Sequence, residues 1–181
     1  FSLASNGFER IFVINGHGGN IATVKSAFSQ VYANARKTNQ SFASKLRCKI
    51  CNWFLLSSVR SMANELYGDK EGQHATPSEI SLTLHLEPSL ISKQRELPLP
   101  SPVGPIYDYK DFRNRYPDGR MGSDPFMANP SDGENFLDKA ACALSKDLID
   151  FLKGFNGFPE GYPCESRPSG DSEGRDDASS C

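Results

Sequence analysis

Long apolar runs are absent from this sequence of 181 residues, and so is an excess of charge of one sign. A membrane-spanning helix needs about 20 consecutive apolar residues, so none is predicted and no membrane partner is expected. Lysine and arginine together number 20 against 22 acidic residues, which gives a net charge of −2. This balance lacks the basic surplus typical of nucleic-acid-binding proteins, so no nucleic-acid partner is expected.

Cysteine and histidine are also scarce, with five and three residues respectively. An odd and sparse set of cysteines does not indicate a disulfide framework and favours a reducing, cytoplasmic location. Cys48 and Cys51 form one C-x-x-C, but the apolar residues around them predict a strand, in which the two side chains point to opposite faces. Without a second pair they do not indicate a zinc site.

The stretch around His17 is the most informative part of the chain. The apolar run from Ile11 to Ile14 predicts a buried strand that ends at the turn dipeptide Asn15-Gly16. His17 follows between glycines, and Asn20 is a suitable N-cap for the next helix. The apolar face of that helix consists of Ile21, Val24, Phe28, Val31, Tyr32 and Ala35. His17 therefore lies on a glycine-rich loop at the carboxyl end of a strand, where open α/β sheets bind ligands.

The residues of this loop alone allow three interpretations. A phosphate-binding turn would use the glycines, but the sequence has neither G-x-G-x-x-G nor G-K-[ST]. A tight turn with an incidental histidine needs no ligand at all. The third interpretation is a catalytic or metal-binding histidine.

The next segments predict an α/β domain with a mainly parallel sheet. Residues 46–56 indicate a second strand, followed by a short helix over 59–67 that Ser57 or Ser58 caps and Gly68 ends. Strands that alternate with helices imply a parallel sheet with helices on its faces. Before the first strand, Gly7 marks the end of a helix whose body is absent, so the chain is expected to lack an amino-terminal part.

Two further helices begin at predicted capping boxes. Thr76-Pro77-Ser78-Glu79 opens a helix that ends before Pro88, and Ser131 with Glu134 opens the last helix. Residues 88–130, between them, predict a long functional or mobile loop. The apolar face of the last helix consists of Phe136, Ala140, Ala143, Leu144, Leu148, Phe151 and Leu152. Residues 154–181 carry six acidic and two basic residues among glycine, proline and serine, and predict a disordered tail.

Two motifs resemble the creatininase (creatinine amidohydrolase) family. They are Asn15-Gly16-His17-Gly18-Gly19-Asn20 after an apolar strand, and His74-Ala75-x-x-x-Glu79-x-Ser81. The resemblance covers about residues 6–153 and includes Gly122-x-Asp124-Pro125 before the last helix. It implies metal-dependent hydrolysis of a C–N bond in an amide, cyclic amide or formamide. By this resemblance His17 and Glu79 are metal ligands and His74 is the acid/base residue, with zinc as the metal and manganese or iron as alternatives.

The rest of the loop also has expected roles, and the resemblance to the family has one departure. The backbone N–H groups of Gly18 and Gly19 could face an oxyanion. Asn15, Gly16 and Asn20 are expected to shape the loop. Gly19 stands where creatinine-hydrolysing members carry a glutamate, so creatinine is not implied as the substrate. Glu79 has a second interpretation as the N3 residue of its capping box, and His85 lies about 240° around the helix from it and is left out of the site.

The ligand count is short, because His17 and Glu79 are two ligands where a hydrolytic metal site needs about three. In the family the others come from a loop near the amino terminus, which agrees with the helix end at Gly7. Residues 1–153 are therefore expected to form part of a three-layer α/β/α domain of creatininase type, with the amino-terminal part missing. The full-length protein is expected to be a homo-oligomer that hydrolyses a small amide. The alternative is a non-catalytic remnant that keeps the fold and assembly surface but lacks a complete metal site.

Overall fold

The computed structural model describes residues 1–91, without the side chain of residue 91, and residues 101–154. Two strands lie within these residues, β1 (Arg10–Asn15) and β2 (Arg47–Asn52). The helices are α1 (Ser2–Ser5), α2 (Asn20–Lys37), α3 (Ser57–Tyr67), α4 (Pro77–Leu86), α5 (Tyr109–Arg115) and α6 (Pro130–Lys153). Short 3₁₀ turns occupy Trp53–Leu55, Gly68–Lys70, Pro88–Ile91 and Pro125–Met127.

The two strands pair in parallel, with Arg10 opposite Arg47 and Asn15 opposite Asn52. Helix α2 makes the connection between them, as a parallel pair requires. The predicted α/β class with a parallel sheet is therefore confirmed for the described residues. Because the strands run in register, their carboxyl ends meet at one edge, and the loop that carries His17 leaves from that edge.

Each face of the sheet packs against a different group of helices. On one face Ile11 and Cys48 contact a buried cluster that involves α1, α2 and the turn before β2. The members of this cluster are Ala4, Ala35, Phe42 and Leu46. On the other face the ring of Phe12 contacts Phe151 of α6, with centroids 5.7 Å apart. A second apolar cluster joins α3 to α6 and consists of Trp53, Val59, Met62, Ala63, Tyr67, Phe136 and Ala140.

A polar network crosses this second cluster and ties three helices together. The Tyr67 hydroxyl of α3 donates to a carboxylate oxygen of Asp132 in α6 (2.8 Å) and lies 3.1 Å from the Ser81 hydroxyl of α4. The backbone N–H of Asn129 donates to that same serine oxygen at 3.1 Å. Burial raises the pKa of Tyr67 well above its usual range. Since buried polar groups stabilise a fold only when they are paired, this network specifies how α4 sits on α6.

The helix end predicted at Gly7 is present. The N–H of Phe8 donates to the carbonyl of Leu3 and the N–H of Gly7 donates to that of Ala4, with Gly7 at φ +93°. This pair of hydrogen bonds is the Schellman arrangement that ends many helices.

The structure corrects two predictions about the strands. The second strand is shorter than predicted, because a 3₁₀ turn over Trp53–Leu55 replaces its apolar second half. Trp53 and Phe54 thus pack against helices rather than within a sheet. The first strand is not fully buried either, since most of its residues are half-exposed and Ile14 is 60% exposed.

Three predicted helix caps are also wrong. Gly19 is the N-cap of α2, and the Asn20 side chain turns back to the oxygen of Asn15. Helix α3 begins at Ser57 without a side-chain cap, although Gly68 does end it. Helix α6 begins before the predicted capping box, with Asn129 as its N-cap. The cap at Thr76 is confirmed, because its hydroxyl accepts from the N–H of Glu79.

The position of the α6 cap gives a test by substitution. The Asn129 side-chain oxygen accepts from the N–H of Asp132 at 2.9 Å, and its amide donates to the Asp132 carboxylate at 2.6 Å. Replacing Asn129 with alanine should therefore lower the free energy of unfolding by about 2 kcal/mol, the upper range for a lost N-cap. Ser131→Ala, the matched control, should change it by less than about 0.5 kcal/mol. Urea unfolding measures both values, and a larger loss for Ser131→Ala would restore the predicted capping box.

The structure also bears on the predictions for the cysteines and for the carboxy-terminal tail. Cys48 and Cys51 are free and contact opposite sides of the sheet, Cys48 the α2 side and Cys51 the Asp147 carboxylate of α6. Burial, together with that carboxylate, raises the pKa of the Cys51 thiol to about 11. Cys142 is disulfide-bonded, whereas the number of cysteines predicts a reducing environment without a disulfide framework. No helix in the described ranges has the length and apolarity to cross a bilayer. The predicted tail from residue 155 onward lies outside the described residues.

Candidate active site

Asn15 organises the loop that carries His17. This last residue of β1 is only 4% exposed, and its amide donates to the carbonyl of His17 at 2.8 Å. Its side-chain oxygen accepts from the N–H of His17 (3.3 Å) and from the amide of Asn20 (3.2 Å). One buried side chain therefore holds both ends of the glycine-rich loop.

A second asparagine supports the first. Asn52 is the last residue of β2 and lies opposite Asn15 in the register of the sheet. Its side-chain oxygen accepts from the Asn15 amide at 2.6 Å. The His17 loop is thus fastened to both strands, which fixes it relative to the carboxyl edge of the sheet.

The His74 loop is held by a distant segment of the chain. Residues His74 and Met121 form an antiparallel bridge, and the hydroxyl of Ser123 donates to the His74 carbonyl. Gly72 lies beneath this contact at φ +63°, and a Cβ there would lie 2.4 Å from the Ser123 nitrogen. Only glycine therefore permits this close approach. Ala75, next to the histidine, also has a positive φ of +54°, which is rare outside glycine and is often found at functional sites.

These two loops bring His17 and His74 together. The centroids of the two imidazole rings are 6.4 Å apart, and Phe112 of α5 contacts His74 from another side at 6.5 Å. Both histidines are solvent-exposed. Glu79 follows His74 by five residues, in the first turn of α4, and is half-buried. Two histidines at this separation can both reach one small molecule.

A cavity of about 500 Å³ lies beside this cluster. Its lining includes Trp53 and Phe54 after β2, Arg60 of α3, and Glu71 and Glu79 around the start of α4. The site also reaches Gly18, because a Cβ at that position would lie 4.0 Å from the ring of Phe54. This volume is within the range of small-molecule sites, and the walls combine aromatic and polar groups.

Glu71 is a further carboxylate of the cavity, and it binds the start of α4. Its carboxylate accepts from the backbone N–H of Ser78 at 3.3 Å and from the hydroxyl of the same residue. Burial raises the pKa of the Glu71 carboxyl, and the nearby charge of Glu79 raises it further. Glu71 thus fixes the first turn of α4, on which Glu79 is carried.

The described residues contain no complete metal site. No group of three histidine, cysteine, aspartate or glutamate side chains comes together in residues 1–90 and 101–154 in a way that could hold an ion. The imidazole of His17 also occupies the space above Gly19, where a Cβ would lie 3.1 Å from two of its ring atoms. A longer side chain at position 19, such as a ligand carboxylate, would therefore require the histidine to shift.

Comparison with known proteins identifies the family. A family model described as creatinine amidohydrolase matches residues 1–148. The chain belongs to the creatininase family. No curated protein matches the chain.

Solved creatininases have the same fold as this family member. Three of them are a manganese creatininase, a creatinine amidohydrolase and a mutant creatininase complexed with creatine. Each is 19% identical, with a TM-score of 0.67 over 84% of this chain and 60% of the other. The chain thus spans about 60% of the length of these structures.

Several residues of this creatininase-family site were not predicted from the sequence. Asn52 could have been found, because a polar residue that ends the neighbouring parallel strand reaches the same edge as Asn15. Glu71 lies in a polar loop, where its contact with the start of α4 has no local signal. Phe112 lies within residues 88–130, which the sequence predicts to be a loop, and the structure corrects that prediction with helix α5.

Proposed function

We propose that the full-length form of this protein hydrolyses a C–N bond of an amide, cyclic amide or formamide, as a metal-dependent amidohydrolase. The observation that carries this proposal is the meeting of His17 and His74, with ring centroids 6.4 Å apart, beside the cavity that Glu79 lines. Family membership supports the hydrolase class, and a manganese creatininase among the solved structures supports a divalent metal. Zinc, manganese and iron all accept imidazole and carboxylate ligands.

The residues of this chain would act on the substrate in three ways. His74 would give a proton to the leaving nitrogen, since imidazole exchanges protons near neutral pH. The N–H groups of Gly18 and Gly19 would face the oxyanion, and neither donates a hydrogen bond to another described residue. The cavity walls would bind the rest of the amide.

The metal ligands of this proposal are His17 and Glu79. Two ligands do not make a hydrolytic site, which needs about three around an open position. We propose that the remaining ligands lie outside the described residues. The same proposal includes a complete three-layer α/β/α domain, an amino-terminal part that precedes Phe1, and a homo-oligomer in the cytoplasm.

A second candidate function follows from the incomplete donor set. The chain would be a non-catalytic remnant that keeps the fold and an assembly surface. The absence of a three-ligand group in the described ranges favours it. Metal content distinguishes the two candidate functions, because a remnant without a complete ligand set would bind no metal, with or without its upstream sequence.

Metal analysis of the purified protein tests both candidates. We expect the 181-residue chain, after incubation with zinc or manganese, to retain well below one metal per chain and to hydrolyse no amide measurably. A form extended by its natural upstream sequence should take up near-stoichiometric metal. That metal should be lost in His17→Ala and kept in His85→Ala, the matched control.

Two results would contradict these expectations. Near-stoichiometric metal in the unextended chain, lost on His17→Ala and accompanied by amide turnover, would show that its own residues complete the site. No metal in either form would leave the remnant as the better interpretation.

A further inference from the structure

The electrostatics of the cavity are unusual in one respect. Among the described residues that line it, three are charged: Arg60, Glu71 and Glu79. The Glu71 carboxylate already accepts from the N–H and the hydroxyl of Ser78. Glu79 is a metal ligand in the proposed function, which would neutralise its charge. Arg60 is the third charged residue of this lining, and neither the observed contacts nor the proposed function gives it a role.

Arg60 has no partner of its own in the described part of the chain. Within residues 1–90 and 101–154 its guanidinium forms no salt bridge, so the two carboxylates of the cavity lie beyond ion-pair distance. It lies on α3 one turn before Asn64, which lines the same cavity. A guanidinium and an amide at this spacing face one ligand group together, because residues four apart share a helix face.

Two aromatic residues also line the cavity. Trp53 is 9% exposed, and the ring of its neighbour Phe54 lies 4.0 Å from the position that a Cβ of Gly18 would occupy. Arg60 itself is solvent-exposed, but the apolar side chains of the cavity exclude part of the water around a bound anion, so the anion gains more there than on an open surface. Guanidinium also matches the planar carboxylate with two parallel hydrogen bonds.

We propose that the cavity binds amides that carry a carboxylate away from the scissile bond, and that Arg60 with Asn64 recognises this carboxylate. This inference rests on the proposed function, because it treats the bound amide as the substrate that is hydrolysed. Arg60 is then a residue that determines specificity.

The single tryptophan of the chain gives a direct test, because Trp53 lines the cavity. The probes are N-acetylglycine and its neutral counterpart N-acetylglycinamide, titrated into protein kept metal-free with excess EDTA. Quenching of tryptophan fluorescence should show tighter binding of the anion by about tenfold, the range expected for a hydrogen bond to a charged group. The preference should shrink at high salt, which screens partly exposed charges.

Substitutions locate the effect. Arg60→Gln should abolish the preference for the anion, and Arg60→Lys should keep part of it. Arg36→Gln, an exposed arginine at the end of α2 with the same change of net charge, should leave it intact. Circular dichroism checks that each variant is folded, and the lysine variant covers the case in which glutamine disturbs α3.

The outcome separates this inference from the proposed function. Equal binding of the two probes, quenching by neither, or a preference that survives Arg60→Gln would overturn the role of Arg60. None of these results depends on metal or turnover, since the titration uses metal-free protein. A chain that prefers the anion but never binds metal would instead contradict the proposed function alone.

Discussion

Gly133→Ala is expected to lower the free energy of unfolding by about 3 kcal/mol, the upper range for overpacking a core. A Cβ on this residue of α6 would lie 2.0 Å from the carbonyl oxygen of Ser81 and 2.7 Å from the Cβ of His85, both in α4. Neither obstacle is the end of a flexible side chain. The two helices would have to separate, and Ser81 would lose its hydrogen bonds to Tyr67 and Asn129.

The direction of the change in stability shows whether α4 and α6 are in close contact. Alanine favours a helix over glycine by about 1 kcal/mol, so the substitution would stabilise α6 if the helices were further apart. Ser145→Ala, on the exposed side of the same helix, is the control and should change stability by less than about 0.5 kcal/mol. Urea unfolding curves give both values. A Gly133→Ala protein as stable as the parent would show that α4 and α6 do not approach as the structure has them.

The elements that could be predicted from sequence are those with a local physical cause. The apolar run before Asn15 makes a strand, and Thr76-Pro77 begins a helix through a cap that uses neighbouring residues only. The spacing pattern of α6 likewise predicted two of its three buried residues, Phe136 and Ala140, but it missed Gly133, and the predicted Leu148 is 36% exposed. Such signals depend on residues that are close in the chain.

The features that could not be predicted depend on contacts between distant residues. The apolar second half of the predicted β2 looks like a strand, yet it turns into α3 because Trp53 packs against that helix and α6. Helix α5 has seven residues, too few for a clear period, and lies in a segment rich in proline and glycine. The position of a cap is equally ambiguous where several polar residues are adjacent, as Asn129 and Ser131 show.

The candidate site shows the same difference between local signals and contacts of distant residues. The motifs placed His17 and His74 in one site, and the structure brings their rings to 6.4 Å. The residues that hold these histidines in place were not predicted from the sequence. Asn52 lies 37 residues from Asn15, and Ser123 lies 49 residues from His74. A motif therefore indicates which side chains meet, whereas the buried partners that hold them come from the fold.

The largest effect expected at the site itself is that of Asn15→Ala. This side chain makes hydrogen bonds to His17, Asn20 and Asn52 from a position that is 4% exposed. Its removal would leave the oxygen of Asn52 and the backbone of the loop without their partner. We expect a loss of about 3 kcal/mol in the free energy of unfolding, since each buried polar group left unpaired costs about 1–3 kcal/mol. Urea unfolding measures the loss.

Asn15→Asp separates the loss of hydrogen bonds from the loss of volume. Aspartate has the same shape, but a carboxylate cannot donate to the carbonyl of His17 or to the oxygen of Asn52, both of which accept from Asn15. It should therefore destabilise the protein at least as much as alanine does, because a buried carboxylate would face two acceptors. Asn20→Ala, which removes one part-buried hydrogen bond of 3.2 Å, is the control and should cost less than about 1 kcal/mol. Amide hydrogen exchange should quicken around His17 in both Asn15 variants and remain unchanged in α6, and a parent-like exchange rate in Asn15→Asp would show that Asn15 does not hold the loop.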